Sequence, residues 1–494
     1  MSEGAPARRL GDRLVWLALG CWAALVALQL VRSGPLAYQW AFGLWRYHPA
    51  YFGAALGALA LAACLAPVQR RVATAAARLH GAATTLPLPA LYVLLFVGFT
   101  GLLWSCRTHD LYADSPLLVT ARVAGWWFAF PEIGATYLMQ WAREFGLPFR
   151  VGPIFPIRLA VCLCGGLMLL LLLGAGRRLV PGPRGGAVAT VYLLSGALVL
   201  IFAGHLEVYA FQLPAVAGYL WAALAYLDRR CGYWLPALAL GVAVWLHAAS
   251  LLLAPSLLFL HLLAQPNLRP AERLRSVSPA LLVGAMPFLL FLGLEFAVGH
   301  REDLLRALDR AIEVLGGKSD PDAIRWWVRG WASYPSVGTD VIFLSPPHLK
   351  YLVNAFAMLV PSSVPVLVWF AVRRPGDLWA TPLRRFLLTA CLPLAAYAVA
   401  LRPFWGPFDW DLFCLTGLML GALAVNLLAT ELAPPLSRRV LVWLVAFHLC
   451  FVMLPFLVTG RVDGRVAGPY ELWEGNFDLI LPRTPPPDVL EPWL

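Results

Sequence analysis

The stretch Tyr233–Ala264, YWLPALALGVAVWLHAASLLLAPSLLFLHLLA, runs for 32 residues without a charge. A single helix of that length would extend about 48 Å at 1.5 Å per residue. A bilayer's hydrocarbon core is only about 30 Å thick. The alternative is a hairpin of two short helices turning near His247–Ser250. The arginines decide between the two. With the hairpin, one face receives Arg8, Arg9 and Arg13, then Arg70 and Arg71, Arg177 and Arg178, and Arg229 and Arg230. It continues with Arg269, Arg273 and Arg275, then Arg373, Arg374, Arg384 and Arg385, and Arg438 with Arg439. All flank short loops, where positive charge marks the cytoplasmic side. Without the hairpin, the last three clusters move outside.

Working outward, the rest of the chain reads the same way. Of 494 residues, 60% are hydrophobic and 13% charged, about half the charge that a water-facing surface carries. Runs long enough to cross a bilayer lie at 14–31, 50–67, 86–105, 159–175, 187–203, 210–227, 233–247, 250–264, 278–298, 350–372, 386–401, 412–429 and 440–458. The expected fold is therefore an all-α, polytopic transmembrane helix bundle of about thirteen spans. Met1–Arg13 is a short basic lead, and 14–31 reads as a retained first helix. Residues 1–458 form the transmembrane domain and 459–494 an extracytoplasmic, proline-rich tail. The N-terminus is expected inside and the C-terminus outside.

Of the 27 acidic residues, twenty fall on the outer side, six on the inner, and Glu295 within a span. The net charge of +11 is thus largely a topology signal, and no basic soluble patch points to nucleic acid. Seven of the nine cysteines sit inside apolar runs, where they act as small hydrophobes. No Cys-x-x-Cys or Cys/His cluster suggests a metal site. Inner loops are short. Two long outer loops, 106–158 and 299–349, are expected to carry interfacial helices. Ser115–Phe128 and Ile133–Phe145 are the candidates in the first, with Trp126, Trp127, Tyr137 and Trp141 suited to the headgroup level. Leu304, Leu305, Leu308, Ile312 and Leu315 keep helical spacing in the second.

Four short segments reach the outer face under this topology. They are His109–Ser115, containing Asp110 and Asp114; Gly204–Tyr209, containing His205, Glu207 and Tyr209; Leu344–Lys350, containing His348 and Lys350; and Arg402–Asp411, containing Asp409 and Asp411. Carboxylates, imidazoles and cations at a membrane surface suit an acid–base step on a lipid phosphate. Arg402 offers a planar fork for phosphate oxygens. Each also has an ordinary structural reading. Asp114 caps the next helix, His205 and Glu207 close a tight loop, and His348 follows prolines into a helix. Arg402 is an interfacial arginine, Asp409 and Asp411 face water, Glu295 is a neutral, hydrogen-bonded carboxyl, and His448 is a satisfied core residue.

On these segments the chain resembles the C-type (GT-C) membrane glycosyltransferases. Gly204-x-x-Glu207-x-Tyr209, Ser345-x-x-His348-Leu349 and Asp409-Trp410-Asp411-Leu412-Phe413 look like motifs of bacterial GT-C-like proteins. The resemblance implies a GT-C-like fold in the bacterial inner membrane and a polyprenyl-phosphate sugar donor. It implies transfer at the extracytoplasmic face to an envelope acceptor, whether lipid, glycan or protein. Asp114 matches the early first-loop carboxylate that serves as base, with Asp110 second and Glu207 a further candidate. Arg402, His348, Lys350, His205, Tyr209, Asp409 and Asp411 would bind donor phosphate and substrate. His109-Asp110 stands where a double acidic pair is expected, which leaves open whether a divalent metal is used. If one is, Asp114, Glu207 and a histidine would be its ligands. The readings from other classes are a lipid or glycan transporter, which hidden repeat symmetry would favour, and a non-catalytic envelope scaffold.

Overall fold

The computed structural model describes residues 20, 50–63, 65–107, 132–149, 151–152, 154–203, 206–265, 269–302, 304–305, 309, 346–400, 410–432 and 434–455. Every described element is helical. In chain order they are α1 (Ala50–Ala62), α2 (Ala66–Thr84), α3 (Leu88–Ser105), α4 (Ile133–Gly146), α5 (Ile154–Leu179), α6 (Gly185–Leu194), α7 (Tyr209–Leu227) and α8 (Trp234–Leu246). They continue as α9 (Ala254–Ala264), α10 (Pro270–Val298), α11 (Pro346–Leu359), α12 (Ser363–Arg373), α13 (Pro382–Ala400), α14 (Cys414–Glu431) and α15 (Pro434–His448). Among the described residues, seven helices are long and apolar enough to cross a membrane: α3, α5, α7, most of α10, α13, α14 and Leu436–Met453. The chain is a polytopic membrane protein. The expected span at 14–31 and the apolar segment Ser115–Phe128 lie outside the described residues.

The hairpin within 233–264 forms. Helix α8 stops at His247, whose φ of −157° and ψ of 124° are extended, and the 3₁₀ turn Ala248–Leu253 leads into α9. A ladder of side-chain bonds ties α9 to α7 in parallel. Gln212 Nε2 donates to Ser250 Oγ at 2.8 Å, Tyr219 OH and Ser256 Oγ are 2.7 Å apart, and Tyr226 OH and His261 Nδ1 3.1 Å apart. The hydroxyl of Tyr233, at the start of α8, donates to the Leu257 carbonyl at 2.9 Å, so α8 runs antiparallel to α9. The polar residues scattered through the apolar run are these rungs. The hydroxyls of Tyr219, Tyr226, Tyr233, Ser250 and Ser256 are satisfied within this ladder, as hydrocarbon requires.

Two expected spans are interrupted instead of continuous. In 187–203, α6 stops at Leu194 and the 3₁₀ turn Ala197–Phe202 follows. In 350–372, α11 and α12 are separated at residues 360–362. The breaks face each other, and a Cβ on Gly196 would lie 2.3 Å from the Leu359 carbonyl oxygen. His448, where α15 passes into the π-helical turn Leu449–Met453, bridges them. Its Nδ1 lies 2.8 Å from Ser195 Oγ and its Nε2 2.8 Å from Ser362 Oγ. Tyr192 OH completes the network at 3.0 Å from Ser362 Oγ and 2.9 Å from Ser363 Oγ. His448 is thus a satisfied core residue. His448→Phe keeps the ring and removes both nitrogens, so denaturant unfolding should show a loss of about 1–3 kcal/mol. A loss below about 0.5 kcal/mol would mean the breaks hold without it.

At the arginine-rich end of the bundle four arginines are paired with carboxylates among the described residues. Arg178 Nε donates to Asp228 Oδ2 at 2.7 Å. Buried Arg384 donates to Asn426 Oδ1 at 3.1 Å, to Thr430 Oγ1 at 2.6 Å, and to Glu431. Arg374 reaches the same Glu431 at 2.8 Å and Asn426 Nδ2 donates to the Leu179 carbonyl at 2.7 Å. The ends of α5, α7, α13 and α14 therefore share one level. The segment expected there as a simple loop, between Pro67 and Leu86, is largely the helix α2. Its alanine-rich sequence has the highest intrinsic helix propensity, which the apolar-run reading did not weigh.

Candidate functional site

The opposite end of the bundle, the outer face expected from the arginine pattern, holds Gln140, Gln212, Trp245, His247 and Glu295, each with a buried polar atom that has no hydrogen-bond partner among the described residues. Glu207 and Tyr209 stand where α7 begins, both buried. The Tyr209 ring stacks on the imidazole of His247 with centroids 5.2 Å apart. Ala249 N–H donates to His247 Nδ1 at 3.1 Å. A neutral imidazole whose Nδ1 accepts carries its proton on Nε2. That Nε2 has no hydrogen-bond partner among the described residues, and its nearest carboxylate oxygen is Glu132 Oε1 at 3.8 Å. Tyr397 on α13 also lies within electrostatic reach of Glu132.

Glu132 is placed there by α4, the amphipathic helix expected at Ile133–Phe145 and found at Ile133–Gly146. The helix docks through Gly134, where a Cβ would lie 2.6 Å from the Trp245 carbonyl oxygen and 2.8 Å from its ring. Trp245 is two residues before His247, and Gly134 two after Glu132, so this close approach sets the Glu132–His247 gap. A second contact of α4 is Tyr137, edge-on to Phe291 of α10 with centroids 5.2 Å apart. Burial first, then the charge and hydrogen bond of Glu295, push the Tyr137 phenol above its ordinary pKa. Glu295 is buried, and its Oε2 meets His300 Nδ1 at 3.0 Å, the hydrogen bond expected of it.

Gly134 gives a test whose sign is informative. Alanine ordinarily stabilises a helix relative to glycine, by up to about 1 kcal/mol in its interior and less in the first turn, where Gly134 lies. Here Gly134→Ala should destabilise, because the new methyl overlaps a backbone carbonyl, and should widen the Glu132–His247 gap. A raised melting temperature for the purified variant would show that α4 does not dock this closely.

Several of these atoms are orphaned. Gln140 Oε1, Gln212 Oε1, Trp245 Nε1, His247 Nε2 and Glu295 Oε1 are buried with no hydrogen-bond partner among the described residues. Each such group costs about 1–3 kcal/mol if nothing satisfies it, and such groups mark strained, functional or ligand-filled places. A donor and an acceptor 3.8 Å apart, His247 Nε2–H and the Glu132 carboxylate, match a hydroxyl group, which accepts from one and donates to the other.

Among the sequence candidates, the side chains of Glu207 and Tyr209 are described and both fall at this end. His348 and Lys350 lie in the first turns of α11, where Pro346 and Pro347 open the helix. Asp411 lies in the 3₁₀ turn Trp410–Phe413. The side chains of these three are outside the described residues. Helix α11 packs against that turn, with Phe356 and Phe413 centroids 6.0 Å apart, and also against the 3₁₀ turn Ala197–Phe202 that precedes Glu207. Asp110, Asp114, His205, Arg402 and Asp409 lie outside the described residues. The sequence reading did not single out Glu132, Gln140 or Gln212. Gln212 had a legible signal, being a polar side chain inside an apolar run. Among the described residues no group of three His, Cys, Asp or Glu side chains comes together as a metal cage.

No protein-family model matches the chain, and no curated protein does. Among solved structures it is similar to the crystal structure of ArnT from Cupriavidus metallidurans bound to undecaprenyl phosphate. The TM-score is 0.44 at 15% sequence identity, over 75% of this chain and 78% of that chain.

Proposed function

We propose that this protein is a GT-C-type membrane glycosyltransferase, moving a sugar from a polyprenyl-phosphate donor to a hydroxyl of an envelope acceptor. The reaction would take place at the extracytoplasmic face of a bacterial inner membrane. One observation carries the reading: among the described residues Gln212 Oε1, Trp245 Nε1 and His247 Nε2 are buried without a hydrogen-bond partner at one end of the bundle, with a Glu132 carboxylate oxygen 3.8 Å from His247 Nε2. A lipid-linked substrate reaches such a site from within the bilayer, so no soluble nucleotide fold is required.

In this reading the Asp114 carboxylate takes the acceptor's hydroxyl proton, with Asp110 and then Glu207 as the alternatives. The freed oxygen pair forms a bond to the anomeric carbon as the bond from that carbon to the phosphate oxygen breaks. The lipid phosphate leaves with its charge neutralised by Arg402, assisted by Lys350. In the same reading His205, His348, Asp409 and Asp411 would bind the donor phosphate and substrate. His247 Nε2–H and Glu132 hold a substrate hydroxyl between them, and Tyr209 keeps the imidazole in place by stacking.

The transporter reading draws on the interrupted helices α6 and α11–α12, since transporters break helices near the midplane. Here the polar groups at those breaks bond to one another through His448, which favours a structural role. The deciding experiment supplies radiolabelled polyprenyl-phosphate sugars to the purified protein in liposomes with an envelope lipid extract. Label leaving the donor lipid supports transfer. Label staying on the donor but crossing between leaflets would replace the transferase with a flippase.

A further inference from the structure

Helix α2 is not accounted for by transfer chemistry. It has 19 residues and joins α1 to α3. Its neighbour α3 runs antiparallel to α5: Trp104 near the end of α3 meets Phe155 at the start of α5, with centroids 5.1 Å apart. The start of α3 therefore lies at the level of Arg177 and Arg178, the arginine-rich end, and α2 leads into it. The chain turns through 84° between Tyr51–Ala62 and Ala66–Val72. A helix turned that far does not continue the line of α1, and with Arg70, Arg71 and Arg78 it is too polar to cross the bilayer by itself.

Its sequence is two-sided. Arg71 and Arg78, seven residues apart, share one face, with Arg70 and Thr74, four apart, beside them. Val68, Val72 and Ala75 follow the i, i+4, i+7 spacing of another face. All three arginines are exposed, and none of the described side chains of α2 is buried. No described ion pair uses them. The local sequence offers no partner either, because no Asp or Glu occurs between Arg13 and His109. Elsewhere at this end, arginines such as Arg178 and Arg384 are matched with carboxylates. Arg177, Arg229 and Arg385 at this end likewise have no described ion pair; what distinguishes α2 is that three such cations sit on one short, two-sided helix.

We propose that α2 lies in the plane of the inner leaflet and binds the phosphate groups of anionic lipids through Arg70, Arg71 and Arg78. The occupant follows from position and charge. The helix is continuous at both ends with helices whose outward sides are apolar, so the surface nearest to it is the bilayer. A two-sided basic helix at that boundary buries its aliphatic face in the acyl region and turns its guanidinium groups to headgroups. Guanidinium forks suit phosphate oxygens, and the negative surface potential of the inner leaflet favours each added cation. This inference does not rest on the transferase reading.

The test is native mass spectrometry of the full chain, delipidated in detergent and then offered equimolar phosphatidylglycerol and phosphatidylcholine. The wild type should retain phosphatidylglycerol in preference. The triple variant Arg70→Gln, Arg71→Gln, Arg78→Gln should lose at least about fivefold of that preference, roughly what one surface arginine contributes. The corresponding triple change to lysine should keep most of it. Other arginines at this end contribute equally to both proteins, so the difference reports on α2. Arg78→Gln alone, at an exposed position, supplies a graded version if the triple variant does not fold. Unchanged retention in the glutamine variants would overturn the proposal and leave a protein partner as the cover for α2. Loss of the preference in the lysine variant would overturn it too, since a headgroup interaction driven by charge must survive that exchange.

Discussion

Asp114→Asn should lower sugar transfer by about 10²–10⁴-fold, the usual contribution of a general base, while the protein still inserts and folds. Asparagine keeps the size and most of the hydrogen bonding of aspartate. It cannot take the proton that the acceptor hydroxyl must lose. Initial rates with purified protein in liposomes would read the effect, with expression and thermal unfolding as controls. Arg402→Ala should act differently, weakening donor binding and leaving-group stabilisation together. Arg402→Lys should recover only part, because the ammonium lacks the bidentate fork. If Asp114→Asn retains near-full transfer and Asp110→Asn abolishes it, the base is Asp110. Near-full transfer in both takes the base out of the first outer loop and leaves Glu207 or Asp409.

Much of the architecture was legible because hydrocarbon leaves a chain few options. A run without charge must be helical where it crosses, so α3, α5, α7, α13 and α14 begin and end within a few residues of the expected spans. The arginine count required a turn inside Tyr233–Ala264, and the chain turns at His247. The interruptions at Ser195–Gly196 and at residues 360–362 were not legible. Both depend on one helix break meeting another, with Gly196 against Leu359 and His448 between, and a hydropathy pattern carries no information about such pairings. Helix α2 was missed because Gln69, Arg70, Arg71, Arg78 and His80 end the apolar run, while its alanines still favour helix.

The candidate site divides in the same way. Glu207 and Tyr209 were visible because they stand in a tight loop between apolar runs, and they fall at the end where the orphaned polar groups lie. Glu132 was not visible. It looks like one acidic residue in a long loop, and its meeting with His247 depends on α4 docking through Gly134 onto Trp245. That pairing joins residues more than a hundred positions apart, and only a three-dimensional contact reveals it.

At the other end of the molecule, Glu431→Ala should cost about 3 kcal/mol, the lower part of the range for a buried ion pair broken from one side. Arg384, whose side chain is 3% exposed, would keep its bonds to Asn426, Thr430 and the Asp377 carbonyl. It would lose the only carboxylate it contacts among the described residues. The lower part of the range applies because Glu431 is 19% exposed and so is partly solvated. Arg374→Ala removes the more exposed partner of the same carboxylate, and should cost about 1 kcal/mol or less. The combination Arg384→Met with Glu431→Leu should recover most of the loss, because an apolar pair of similar volume avoids burying charge. Unfolding of the four proteins by sodium dodecyl sulfate titration in mixed micelles would rank them. If the double variant is as unstable as Glu431→Ala, the clamp contributes through its hydrogen bonds to Asn426 and Thr430, and through Asn426 to the end of α5, more than through charge.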